Sequence, residues 1–126
     1  MTLTTVVLLV LLLYVAQIFL QETSRYRFNL WQIMGNRDTR PEESVVAARL
    51  NRAKNNMLEA LPLFLGLAML ALAKGSNADL AVNGASIFLF ARVIYIPIYA
   101  AGIPILRSLV WLAGMAGMLM MALSLM

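Results

Sequence analysis

The 126 residues contain neither cysteine nor histidine. Those two absences exclude disulfide staples, thiolate and imidazole metal sites, Ser-His and Cys-His nucleophile pairs, and a histidine pH switch. Charge is also scarce, at 13% of residues, while apolar residues make up 62%. An ordinary soluble domain has roughly 45–50% apolar and about 25% charged residues. A chain this short buries only about two-thirds of its surface on folding, so the surplus apolar side chains need an apolar solvent, and the bilayer is that solvent.

Four spans follow from the hydrophobic runs, giving an all-α, integral membrane four-helix bundle subunit with helices near residues 2–22, 43–74, 78–101 and 104–125. Residues 1–21 are uncharged and lack the basic start and small-residue cleavage site of a signal peptide, so the first run is expected to be a retained helix. Residues 22–43 form a charged loop, with Arg25, Arg27, Arg37, Asp38 and Arg40 set around Gly35 and Asn36. The second helix is expected to open at Pro41-Glu42-Glu43-Ser44, with acids in its first turn, and to close at Lys74-Gly75. The third ends at Gly102-Ile103, and Pro104 opens the fourth.

Most basic residues, Arg25, Arg27, Arg37, Arg40, Arg49, Arg52 and Lys54, lie in one loop and the helix start that follows it. Positive residues stay on the cytoplasmic side, so both termini are expected on the opposite, non-cytoplasmic face. The net charge of +4 then reads as orientation and contact with the lipid bilayer. No basic stripe interleaved with aromatics suggests a nucleic-acid partner. Trp31, Trp111 and Tyr26 suit interfacial anchors, and the nine methionines suit apolar filler.

Glu59 and Arg92 are ionisable groups inside apolar spans, where each costs roughly 2.5–3.5 kcal/mol on insertion scales, so they should face a cavity, a partner or a ligand. Counted from the Lys74–Ala78 turn they lie at nearly the same depth. The same count sets Asn56 near Tyr95 and Arg52 near Tyr99. Arg49, Arg52, Asn56 and Glu59 occupy an arc of about 80° on the second helix. Arg92, Tyr95 and Tyr99 share a face of the third. Two polar stripes thus look toward a common space. The plainer alternative is that Glu59 and Arg92 merely neutralise each other while Arg49, Arg52 and Lys54 reach lipid phosphates.

The segment Arg52-Ala53-Lys54-Asn55-Asn56-Met57-Leu58-Glu59, with Pro62 and Phe64 after it, resembles the second-helix signature of the MAPEG family, membrane-associated proteins in eicosanoid and glutathione metabolism. Arg92-Val93-Ile94-Tyr95 with Tyr99, Leu106-Arg107-Ser108, and Arg25-Tyr26-Arg27 resemble further stretches of that family. The resemblance implies a homotrimer that holds glutathione in a cytoplasm-facing cleft, and the short loops suggest a bacterial-type member in an inner membrane. It also implies a transferase or peroxidase acting on a lipophilic small molecule, an electrophile or a hydroperoxide. Arg25, Arg52 and Arg107 would face carboxylates or the thiol, Glu59 the ammonium, and Asn56, Arg92, Tyr95 and Tyr99 the remaining polar groups. Arg107 would favour the thiolate, with Ser108 or a tyrosine hydroxyl as a further donor. Asn55 stands where eicosanoid-forming relatives carry arginine, and Tyr95 where the prostaglandin-forming branch carries histidine, so neither that isomerase activity nor its substrate carries over. A non-catalytic trimer binding a lipid or small thiol is the second reading. A small multidrug exporter is the third, disfavoured because the first helix has no interior acid.

Overall fold

The computed structural model describes residues 2–25, 34–35, 44–75 and 78–126, with Arg25 described in its backbone only. Among the described residues four long helices follow one another: α1 (Leu3–Arg25), α2 (Val45–Lys74), α3 (Ala78–Ala101) and α4 (Pro104–Leu123). All four are long and apolar enough to cross a membrane. The protein is therefore an integral membrane protein, with four spans among the described residues, as the hydrophobic runs predict.

Local chemistry sets the boundaries. The Ser44 side chain accepts a hydrogen bond from the Ala47 amide at 3.0 Å, and α2 starts at Val45 rather than at the expected residue 43. A serine cap satisfies an otherwise orphan N–H of the first turn, and no acid lies in that turn. The rest of that expected start, Pro41–Glu43, lies outside the described residues, as do Tyr26 and Trp31. Gly75 closes α2 in the left-handed conformation, at φ 64°, with its N–H returned to the Ala71 carbonyl. Pro104 occupies the first turn of α4, where its missing N–H costs nothing. Pro62 and Pro97 lie inside α2 and α3 without ending them.

Thr2 and Leu3 at the start of α1 line one cavity with Ala71 and Gly75 at the end of α2 and Ala78 at the start of α3. Arg49, near the start of α2, meets Ala100 at the end of α3. The helices thus run alternately up and down. α1 packs on α2 and α3, α4 packs chiefly on α3 with a slight contact to α2, and no contact joins α1 to α4 among the described residues. At ~1.5 Å per residue the 30 residues of α2 span about 45 Å, more than the ~30 Å hydrocarbon layer. The arginine-bearing start of α2 therefore projects beyond the apolar slab.

Between lipid-solvated helices there is little hydrophobic driving force, so close packing carries the association. Phe64 of α2 and Phe88 of α3 stack with ring centroids 4.6 Å apart. Val6, Val10, Met57 and Met121 are fully buried around them. α3 and α4 cross where Gly84 meets Gly117: a Cβ on either glycine would lie 2.5 Å from the carbonyl oxygen of the other. Only glycine allows two backbones to come this close. This crossing sets how α4 lies against α3, and through it the position of Arg107.

Candidate functional site

The polar arc of α2 faces α3 rung by rung. Arg49 Nη1 donates to the Ala100 carbonyl at 3.1 Å, and Arg52 Nε donates to Tyr99 Oη at 3.3 Å. One turn deeper, Arg92 Nη1 donates to Asn56 Oδ1. Arg49 and Arg52 are thus turned onto α3 rather than toward lipid phosphates. The matching depths follow from two antiparallel helices joined by a short turn, each advancing ~1.5 Å per residue.

Arg92 does not form the simple ion pair with Glu59. It is 3% exposed, it binds Asn56, and its Nε and Nη2 have no hydrogen-bond partner. Its guanidinium instead lies 5.3 Å from the ring centroids of both Phe88 and Tyr95, a cation–π environment that offsets part of the lost hydration. Glu59 is exposed and shares with Arg92 a cavity of about 230 Å³ that Asn56, Trp111 and Met115 also line. A buried cation with free donors and a nearby carboxylate on one cavity wall can receive a group carrying both charges.

A larger cavity of about 460 Å³ adjoins it, sharing Asn56 and Trp111, and is lined further by Tyr95, Tyr99, Arg107, Ser108 and Leu112. The Arg107 guanidinium lies 4.9 Å from the Tyr99 ring centroid, and Tyr95 meets Tyr99 edge-to-face at 5.4 Å. Tyr99 is therefore the hinge of the site: its ring seats Arg107 and its hydroxyl receives Arg52. The Ser108 hydroxyl donates to the Pro104 carbonyl at 3.1 Å, so its hydrogen is engaged within the helix and it presents lone pairs to the cavity.

Of the residues singled out in the sequence, Asn56, Tyr95, Tyr99, Arg107 and Ser108 line the larger cavity, and Asn56, Glu59 and Arg92 the smaller. Arg52 reaches the larger one through Tyr99, and the Arg25 side chain lies outside the described residues. Two residues take parts that the sequence reading did not give them. Trp111, expected as an interfacial anchor, lines both cavities; its place one turn after Arg107 was the available signal. Arg49 belongs to the polar arc but closes α3 instead of lining either cavity.

Four membrane-length helices with arginine, asparagine and tyrosine side chains of three of them around one cavity define an integral membrane protein with an internal polar site. The chain belongs to the MAPEG family, whose family model matches residues 1–126, the whole length. No curated protein matches the sequence.

Proposed function

We propose that the protein is a glutathione-dependent membrane transferase or peroxidase acting on lipophilic electrophiles or hydroperoxides, with the arginine-bearing end of the bundle on the cytoplasmic side of an inner membrane. The family to which the chain belongs includes such enzymes. The observation that carries the reading is the meeting of Asn56, Tyr95, Tyr99 and Arg107, from three helices, around one cavity of about 460 Å³ beside the Arg92–Glu59 cavity.

The donor set suits the tripeptide. Glutathione carries two carboxylates and one ammonium, and guanidinium forks match carboxylates in geometry as well as charge. Arg52 and Arg107 offer forks, Glu59 offers the acceptor for the ammonium, and Asn56 and the two tyrosine hydroxyls supply orientable hydrogen bonds. Without a cysteine of its own, the protein takes its sulfur nucleophile from the bound thiol. Arg107 stands at the opening of α4, where the helix dipole is positive, so guanidinium and helix end together favour the thiolate over the thiol. In a transferase the thiolate forms a C–S bond as the leaving group departs. In a peroxidase it takes the distal oxygen, releasing the alcohol, and a second thiol completes a disulfide and water.

A homotrimer fits the exposure of Glu59 at a depth where lipid is a poor neighbour for a carboxylate. The test is calorimetry of glutathione binding to the detergent-purified protein, comparing wild type with Arg52→Ala and Glu59→Gln, followed by assays with electrophiles and hydroperoxides. Saturable binding lost in both variants, with turnover by wild type, is the expected result. Binding without turnover moves the protein to the non-catalytic reading, and no binding by a folded oligomer removes glutathione.

A further inference from the structure

The turn between α3 and α4 decides where Arg107 stands, and that turn is held by a residue outside both cavities. Gly102 ends α3 at φ 77°, with its N–H donating to Ile98 and Tyr99 carbonyls at 3.1 and 3.0 Å. Arg49, reaching across from α2, donates to the preceding Ala100 carbonyl at 3.1 Å. The guanidinium lies flat on the glycine: a Cβ at Gly102 would fall 2.7 Å from Cζ and 2.8 Å from both Nη atoms of Arg49. Two requirements thus meet at one position, a left-handed backbone and room for a planar cation.

The arrangement is favourable by itself, because a helix C-terminus leaves carbonyls unsatisfied and carries partial negative charge. Its consequence lies further along the chain. Pro104 starts α4 two residues after Gly102, and the Arg107 N–H donates to the Ile103 carbonyl at 3.0 Å. Arg107 therefore sits in the first turn after the clamped segment. α4 leans mainly on α3 and barely touches α2, so beside the Arg52–Tyr99–Arg107 stack the Arg49 contact is what ties this turn to the helix that carries Arg52 and Asn56.

We propose that Arg49 is a positioning residue: by bonding Ala100 and covering Gly102 it fixes the α3–α4 turn to α2, and so sets the distance from Arg107 to Asn56 and Tyr95. Its effect on chemistry rests on the reading that Arg107 stabilises a bound thiolate. Its effect on geometry does not.

The protein has no cysteine, so cysteines placed at two exposed positions, Val46 of α2 and Ile105 of α4, accept spin labels uniquely. With labelled chains diluted in unlabelled ones, only distances within a chain register. Wild type should give a narrow distribution, and Arg49→Ala a broadened one. Arg49→Lys keeps the charge and one donor but not the planar cover; it should fall between them, and it serves if the alanine variant does not assemble. Gly102→Ala should reproduce the broadening, with backbone strain at φ 77° added to the loss of the contact, and Arg49→Ala placed on top of it should broaden the distribution little further, because the contact it removes is already gone. In turnover, Arg49→Ala should lose roughly 10–100-fold in kcat with glutathione affinity within about threefold of wild type, and the bound thiol should titrate at higher pH. Unchanged distances and an unchanged thiol titration in Arg49→Ala and Gly102→Ala would overturn the proposal. Broadened distances in a protein whose wild type binds no glutathione would keep the clamp and discard the thiol reading instead.

Discussion

Gly117→Ala tests the packing that places α4. The added methyl would lie 2.5 Å from the Gly84 carbonyl oxygen and 2.9 Å from the Phe88 amide nitrogen, where ordinary contact begins at 3.4 Å. Both neighbours are backbone atoms of α3, so no rotamer change relieves the clash, and the helices must part by about 1 Å at their crossing. A gap of 0.5–1 Å forfeits a quarter to a half of each dispersion well along the interface, and overpacking of this kind costs roughly 1–3 kcal/mol. The gain from replacing a helical glycine by alanine, about 0.8–1.0 kcal/mol, offsets only part of that. The expected net effect is a loss of roughly 0–2 kcal/mol. Gly114→Ala, one turn away on the same helix, provides the contrast: its methyl would rest 3.7 Å from Ala91 Cβ, in ordinary contact, so propensity alone should decide and the variant should match or exceed wild type. Reversible unfolding in mixed micelles, followed by circular dichroism, orders the three proteins. If Gly117→Ala is as stable as Gly114→Ala, the α3–α4 crossing is not where the glycines put it.

Arg107→Ala should lower the conjugation or peroxidase rate by roughly 10²-fold or more, with a smaller loss of glutathione affinity, measured by steady-state kinetics beside calorimetry. Tyr99→Phe keeps the ring under Arg107 but removes the acceptor of Arg52; affinity should drop by about 0.5–1.5 kcal/mol while kcat holds, and a collapse of kcat would make the hydroxyl part of the chemistry. Ser108→Ala should change the rate by less than about threefold, because the hydroxyl hydrogen already goes to Pro104; a loss near 10²-fold would show that the serine turns toward the thiol.

The fold was readable because hydrophobic run length is a strong signal: the span expected at 78–101 matches α3, and the others match within two or three residues at each end. The facing of Arg52 and Tyr99 was readable too, since depth from a short turn fixes register between antiparallel helices. What side chains do at a given depth was not. Arg92 and Glu59 share a cavity wall, yet Arg92 chose Asn56, because rotamers and helix rotation decide among acceptors in one layer. The clamp by Arg49 escaped as well, because it depends on the left-handed Gly102, a backbone state that glycine permits without requiring. Spacing of three and four along α4 would have joined Trp111 to Arg107 and Ser108 had its aromatic character not suggested the membrane interface.

Arg92 separates what the fold needs from what the site needs. A cation 3% exposed, with one donor on Asn56 and none on Nε or Nη2 among the described residues, is a poor way to hold two helices together. The flanking Phe88 and Tyr95 rings recover part of the lost hydration, on the order of 2 kcal/mol for a desolvated cation, against a penalty of several kcal/mol. Replacing a buried charge that has no ion-pair partner by an apolar side chain of similar volume removes its desolvation cost of several kcal/mol and breaks no pair. Arg92→Met does this, and Asn56, half-buried on the wall of both cavities, can hydrate the oxygen left without its donor. The variant should therefore unfold no more easily than wild type while binding glutathione at least about tenfold more weakly, since the cavity keeps Glu59 and loses its counter-charge. A fall of 3–5 kcal/mol in stability, the range for breaking a buried ion pair, would instead make Arg92 a structural tie. Equal stability with equal affinity would remove the smaller cavity from the binding site and leave the larger one, with Arg107 and the tyrosines, to hold the ligand alone.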